Sequence, residues 1–264
     1  MIEDFAIGDC MFFKSLSVTI KYEFSQVNKA RLTWVINFFV PLIWLIPLIA
    51  ICRWFNKTDY QTFYSLSIML WSNMRGIIFF IGLTATKKKN KPDENSIQKL
   101  FYILLAKTIV HIPLLIITNI ITLIPEFILF GKRSSLSHIA VKPILLYFGF
   151  LVFLYLLAYL ISFLIYYSKK VRVFFSLYER YAPFLTGIYY PVSLLPLPLK
   201  AVCMLMPLTY FVNSIRAGLC LEPYLIGHNS DLAIVALLDV IMLFVVIGFY
   251  RSRFKTECNG RLTA

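Results

Sequence analysis

The sequence is poor in charge and especially poor in acid. Only 15% of its 264 residues are charged, and 13 acids stand against 26 lysines and arginines. Three scattered histidines and five cysteines without paired short spacing give no metal site. A Gly-rich loop ending in Gly-Lys-Ser/Thr, a His-Glu-x-x-His and a Gly-x-Ser-x-Gly are all missing. The chain therefore has neither the usual phosphate-binding loop for ATP nor a residue that its motifs identify as catalytic.

Apolar residues dominate what is there. Hydrophobic residues make up 59% of the chain and the mean hydropathy is +0.76, outside the balance of a soluble domain. Composition thus predicts an integral protein of the cell membrane, with residues 1–264 forming a single polytopic domain. Each span takes about 20 residues, so a chain of this length cannot also hold a sizeable soluble catalytic domain. We expect any energy source to lie on another chain.

The apolar runs predict an all-α integral membrane protein with six transmembrane helices. Their approximate bounds are 32–54, 60–86, 100–125, 143–168, 173–193 and 232–250. The first run is uncharged from Leu32 to Cys52, with Trp34 and Trp54 near its ends as interfacial anchors. An even number of spans places both termini on one side of the membrane.

Lysine and arginine placement predicts which side that is. With the N-terminus inside, 17 of the 26 basic residues fall on the inner side and 7 on the outer side. Cytoplasmic loops carry the excess of positive charge, so we expect both termini to be cytoplasmic. The net charge of +13 then indicates contact with anionic membrane lipids rather than with nucleic acid, because the cations flank apolar spans in short clusters.

The N-terminal segment predicts an amphipathic helix. Phe12, Leu16, Ile20 and Phe24 recur at four-residue spacing between charged positions, which favours a helix over residues 10–31 lying in the inner interface. The alternative is a mobile basic tail. The acidic start of the chain lacks the basic region of a cleavable signal peptide, so we expect none.

Prolines interrupt the fifth apolar run. Within Thr186 to Gly218 the apolar sequence is broken by Pro191, Pro196, Pro198 and Pro207 and is closed by Arg216. Proline removes a backbone donor and breaks helices, so this stretch cannot cross as one straight rod. We expect a re-entrant segment over 194–219, built as two short helices, Leu194 to Met206 and Pro207 to Leu219. The alternative is that the prolines only kink one long span.

Ionisable groups inside predicted spans are functional candidates by default, and four of those in this chain are taken as candidate site residues. They are Arg75, Glu179, Arg180 and Asp239. We expect Glu179 and Arg180 to pair with each other or to lie at the inner interface, and Arg75 either to pair or to reach an interface. Asp239 lies in the middle of an apolar span and needs a donor, for which Arg75 and Arg216 are the candidates.

Two cysteines, Cys203 and Cys220, fall near the predicted outer face. They either form a disulfide or remain free, small apolar residues of a packed core.

The broken segment resembles the signature of a known family. In order along the chain, it has a glycine and an aromatic residue before a proline, then Leu-Pro, then Pro-Leu-Thr-Tyr and finally an arginine. The spacing of these residues is similar to that near the end of type-2 ABC-transporter permeases. This class includes drug, lipid and polysaccharide exporters. The residues that carry the resemblance are Gly187, Pro191, Leu195, Pro196, Pro207, Tyr210 and Arg216.

The resemblance implies a dimeric exporter. A second permease copy, identical or related, and two separate ATP-binding cassette subunits would complete it, with ATP and Mg on those subunits and no cofactor on this chain. Export would proceed by alternating access, and the inner loop 84–99 would hold a coupling helix. The residues that the resemblance assigns to ATPase docking are Lys87, Lys88, Lys89, Asp93, Glu94, Ser96, Lys169, Lys170 and Arg172. A Glu-x-x-x-Gly-Thr-Leu-Glu-like stretch, frequent in that loop of the family, is not present.

Two other function classes stay open at this point. An ATP-independent secondary transporter or channel would be indicated by inverted repeats or rings of acids, and neither is clear in the sequence. An integral membrane enzyme that modifies lipids would need clustered acids or histidines, and the 13 acids are spread over the chain. The 24 phenylalanines and 16 tyrosines fit drugs, lipids or a lipid-facing surface equally well, so the sequence names no substrate.

Overall fold

The computed structural model of the chain is helical wherever it describes regular structure. It has no strand among the residues it describes, which are 2–29, 35–36, 39–43, 45–47, 50, 59–83, 96–130, 141–219, 221, 223–225 and 230–262.

Eight α-helices account for most of these residues, with a π-helical segment (Ile78–Leu83) and a 3₁₀ turn (Val192–Leu194) between them. The helices are α1 (Ile2–Lys29), α2 (Asp59–Ile77), α3 (Ser96–Phe130), α4 (Val141–Tyr167), α5 (Lys169–Leu185), α6 (Leu197–Met204), α7 (Pro207–Gly218) and α8 (Asp231–Leu262).

Four of the described helical stretches are long and apolar enough to cross a membrane: Phe63–Gly82, Leu100–Thr122, Val141–Tyr167 and Asp231–Ser252. The number of candidate spans is five if α6 and α7, two short helices joined at a sharp bend, are counted together as one span. The four overlap the predicted spans 60–86, 100–125, 143–168 and 232–250. Of the predicted first span, 32–54, only residues 35–36, 39–43, 45–47 and 50 are described, and they are helical.

The predicted fifth span over 173–193 differs from what the structure contains. Helix α5 stops at Leu185 after 17 residues and is not among the candidate spans. Pro183 lies in its last turn, and Gly187 just beyond takes a φ of 73°, which a continuing right-handed helix does not allow. The sequence alone placed the end of this helix too late because its apolar residues run on past the turn.

Helix α4 forms the centre of the packing. It contacts the π-helical segment, α8 and α7 along its length. Phe150 and Phe153 of α4 pack against Phe211 of α7, with ring centroids 6.3 Å and 4.9 Å apart. Gly149 allows α8 to come close, since a Cβ at this position would lie 2.8 Å from Cγ1 of Val235. The described spans are therefore held together by close apolar contact.

The π-helical segment leaves backbone carbonyls that neighbouring helices satisfy. The Ser162 hydroxyl of α4 donates to the carbonyls of Ile81 and Gly82 at 3.1 Å and 3.0 Å. Lys107 of α3 donates to the carbonyl of Phe80 at 3.5 Å and pairs with Glu23 of α1 at 3.6 Å. An unpaired backbone group is costly where water is excluded, so these side chains stabilise the irregular helix. The Glu23–Lys107 pair also fixes α1 against α3.

Candidate functional site

The chain reverses direction immediately after α5. Gly187 adopts a φ of 73°, and a Cβ added there would lie 2.2 Å from Cγ2 of Val192, so only glycine fits. Pro191 then precedes the 3₁₀ turn and Pro196 precedes α6, each with a φ near the value that the proline ring imposes. Leu195 closes the turn through its N–H, which donates to the carbonyl of Val192 at 3.2 Å.

The hydroxyl of Tyr190 stabilises this reversal. It donates to the carbonyl of Phe184 in the last turn of α5.

Helices α6 and α7 meet at a bend of 103°. Pro207 occupies the first position of α7, where its missing N–H costs nothing. The hydroxyl of Thr209 donates to the carbonyl of Cys203 at 2.6 Å, and that of Tyr210 donates to the carbonyl of Met204 at 2.8 Å. These are carbonyls at the C-terminal end of α6, which have no partner within their own helix. The Pro-Leu-Thr-Tyr run thus begins one helix and caps the other.

Arg216 holds the bent pair to the rest of the protein. Its side chain is 0% exposed, and its two terminal nitrogens donate to the carbonyls of Gly187 and Ile188 and to the Ser67 hydroxyl of α2. The distances to Gly187 and Ser67 are both 2.6 Å. The guanidinium carbon also lies 4.0 Å from the centre of the Phe63 ring. One buried side chain therefore joins α7, the glycine turn and α2.

Asn213 fixes the exit of the bent pair, and sequence reasoning missed it. Its amide nitrogen donates to the carbonyl of Pro223 at 3.1 Å, and its oxygen accepts from the N–H of Leu225 at 2.8 Å. A polar residue one helical turn before Arg216 was the available signal, because both lie on the buried side of α7.

The structure brings the predicted gate residues into one region. Arg216 contacts Gly187 directly, and Tyr210 and Pro207 shape the bend between their helices.

The predicted docking residues are described only in part. Lys87, Lys88, Lys89, Asp93 and Glu94 lie outside the described residues, while Ser96 and Lys169 begin α3 and α5. Lys170 is exposed and Arg172 is half-buried.

The intramembrane ionisable groups pair differently from the prediction. Arg75 of α2 and Glu179 of α5 form the ion pair, with Nε of Arg75 3.4 Å from Oε1 of Glu179. Of the two arrangements considered for Glu179 and Arg180, the mutual pair is not formed; adjacent residues point to different sides of a helix, and Arg180 is exposed.

Asp239 pairs with neither Arg75 nor Arg216, so that prediction was wrong. Both arginines are held elsewhere, by Glu179 and by the carbonyls of the glycine turn respectively. Oδ2 of Asp239 faces Gly149 of α4, and Oδ1 is buried without a hydrogen bond among the described residues.

Tyrosine hydroxyls of α4 form a further set of polar contacts. Tyr147 accepts from Asn73 and Asn119 at 2.7 Å and 2.6 Å, and Tyr159 lies 2.7 Å from the Thr108 hydroxyl. The Tyr155 hydroxyl is 3.1 Å from Nδ1 of His111, whose ring stacks on Phe80. From sequence α4 looked apolar almost all round. The four-residue spacing of Tyr155 and Tyr159 was the signal for a polar face.

Cys203 is a free, buried thiol. Cys220, the other half of the disulfide considered above, lies outside the described residues. Among the described residues there is no group of three or more histidine, cysteine or acidic side chains placed to hold a metal ion.

The long apolar helices, joined by buried polar contacts, define the class as a helical multi-pass membrane protein. No family model matches the chain, and no curated protein matches it.

Proposed function

We propose that this chain is the permease subunit of an ATP-driven exporter of the type-2 ABC class. It forms the translocation path in the cell membrane together with a second permease copy, identical or related. ATP and Mg are bound by separate ATP-binding cassette subunits, which dock on the cytoplasmic side. With α5 (17 residues) taken as a short fifth span, the chain crosses the membrane six times and both termini face the cytoplasm. The chain itself is not an enzyme.

The observation that carries the proposal is the bent pair α6–α7, held by Arg216. Two short apolar helices at 103° are too short to cross a bilayer separately, since 8 and 12 residues rise only about 12 Å and 18 Å at 1.5 Å per residue. Irregular backbone of this kind is tolerated at membrane depth only where protein or a water-filled cavity covers it. A re-entrant plug at the outer mouth of a path meets that condition.

Arg216 gives the plug a mechanical link. Because its guanidinium contacts both Ser67 on α2 and the turn that follows α5, a shift between α2 and α5 changes the position of α7. In an alternating-access cycle, ATP binding on the partner would move the inner ends of the spans. The link through Arg216 would then transmit this movement to the outer plug.

Identification of the partner tests the proposal. The chain is tagged, extracted gently from native membranes and analysed by mass spectrometry for stoichiometric partners. We expect a P-loop ATPase to be recovered with it. A matched variant, Pro191→Ala with Pro196→Ala, should keep the ATPase, because these prolines are not among the predicted docking residues. Recovery of the intact chain without any ATPase would contradict the proposal.

A further inference from the structure

The ion pair between α2 and α5 leaves most of an arginine available at membrane depth. The Arg75 side chain is 50% exposed, whereas that of Glu179 is 16% exposed. The ion-pair distance is measured to Nε, and neither terminal nitrogen of Arg75 has a hydrogen-bond partner among the described residues. Because Glu179 meets the guanidinium at Nε, the two terminal nitrogens on the exposed part of Arg75 can donate to an anion.

Aromatic side chains flank this arginine along its own helix. Trp71 lies four residues before Arg75, with the guanidinium carbon 5.4 Å from the ring centre, and Phe79 lies four residues after it and is exposed. Side chains at this spacing share a helix face. The surface is therefore an apolar strip with one cation in its middle.

The strip does not belong to an open lipid-facing helix. The spanning window of α2 is 67% buried inside the protein, against 11% for that of α8. Helix α2 packs against α3 and α4, while Glu179 of α5 and the half-buried Tyr189 in the turn after α5 lie beside Arg75. Arg75 is thus an exposed cation on a helix that is otherwise mostly buried.

We infer that Arg75 and Trp71 form a binding site for the anionic head of an amphiphile, a phosphate or a carboxylate carried on an apolar chain. The planar guanidinium offers two parallel donors, which suit both oxyanions. The aromatic strip receives the apolar chain. Glu179 orients Arg75 and competes with the anion for it. The statement that this ligand is the exported substrate rests on the proposed function, whereas the binding itself does not.

A direct binding measurement tests the inference without ATP or a partner. The purified full chain is placed in nanodiscs of phosphatidylcholine and titrated with dodecyl phosphate, and with the uncharged dodecyl glucoside as the matched probe. We expect saturable binding of dodecyl phosphate and much weaker binding of the glucoside. Equal binding of the two probes would overturn the inference.

Three variants make the test specific to the arginine. Arg75→Gln should weaken dodecyl phosphate binding by about tenfold to a hundredfold, the range for a hydrogen-bonded charge contact. Arg75→Lys should fall between wild type and Arg75→Gln, because it keeps the charge and loses the paired donors. Glu179→Gln should tighten binding, because it removes the competing carboxylate. This last variant keeps the test decisive if Arg75→Gln does not fold.

Lys21→Gln, which removes an exposed cation from α1, is the matched control and should leave the affinity unchanged. An equal loss of affinity in Lys21→Gln and Arg75→Gln would show only a general charge effect and would overturn the site. Unchanged or weaker binding of dodecyl phosphate by Glu179→Gln would also overturn the site.

Nanodiscs that contain phosphatidylglycerol distinguish the two sources of the anion. If a bilayer lipid occupies the site, phosphatidylglycerol lowers the apparent affinity of the wild type for dodecyl phosphate and leaves that of Arg75→Gln unchanged. If only a free amphiphile enters, the wild-type affinity stays the same in both discs. Either result supports the anion site and assigns its occupant. If the chain still co-purifies with an ATPase but does not bind dodecyl phosphate, this inference is overturned and the proposed function is not.

Discussion

Arg216 is the residue on which the arrangement of the outer segment depends. A buried guanidinium is costly to desolvate, and here carbonyl and hydroxyl oxygens from two other parts of the chain compensate for that cost. Lysine keeps the charge but carries a single nitrogen, which cannot reach the same set of acceptors in one plane. The site therefore requires arginine in particular.

Replacement of Arg216 by methionine should lower the free energy of unfolding by about 3 kcal/mol or more, because it leaves buried carbonyls without their donor. Arg216→Lys should be destabilised as well. Thermal unfolding of the detergent-purified protein measures both, with Arg251→Lys on the exposed end of α8 as the matched control. Wild-type stability in Arg216→Met would show that the contacts of Arg216 contribute nothing.

Which partner each intramembrane charge takes was the part that sequence could not predict. The presence of Arg75, Glu179 and Asp239 inside apolar runs is visible in the sequence, but their pairing depends on how each helix is rotated about its axis. Helix α8 is apolar on almost every side near Asp239, so no periodicity fixes its rotation. Glycine and proline positions were more informative, because Gly187 and Pro207 act through the backbone and need no knowledge of neighbours.

At the scale of elements, the bend between α6 and α7 is maintained by side chains from the start of α7. Thr209 and Tyr210 cap the last carbonyls of α6, so the angle is set by two hydroxyl groups together with the proline between the helices. From sequence the two helices were expected at Leu194 to Met206 and Pro207 to Leu219. The structure has them at Leu197–Met204 and Pro207–Gly218, shorter because the 3₁₀ turn and Pro196 precede the first.

Removal of both hydroxyl groups, as Thr209→Val with Tyr210→Phe, should loosen α6. Each lost hydrogen bond is worth about 1 kcal/mol. The carbonyl of Met204 loses the Tyr210 hydroxyl, and that of Cys203 keeps the N–H of Met206 at 3.0 Å but loses the Thr209 hydroxyl, so the end of the helix is held less firmly. Hydrogen exchange followed by mass spectrometry should then show faster exchange in the peptide that contains α6. Tyr181→Phe, an exposed tyrosine of α5, is the control. Exchange unchanged from wild type in the double variant would assign the bend to Pro207 and packing alone.

At the scale of the whole molecule, the described spans pack around α4, and Arg216 attaches the bent pair to them through the Ser67 hydroxyl of α2. A broken span would place its two ends on opposite sides of the membrane. A re-entrant pair would place them on the same side. The proposed function depends most on the re-entrant arrangement, because a plug that opens and closes the outer mouth must have both of its ends on the outer side.

The most direct test is therefore the side from which each end of the bent pair can be labelled. In a cysteine-free background, single cysteines replace Leu194 before α6 and Pro223 after α7, both of them exposed positions. A cysteine at Arg251, on the predicted cytoplasmic side, serves as the control that reacts only after permeabilisation. A membrane-impermeant maleimide applied to intact cells should label both Leu194→Cys and Pro223→Cys from outside. Labelling of only one of the two from outside would show a crossing span and would contradict the re-entrant gate.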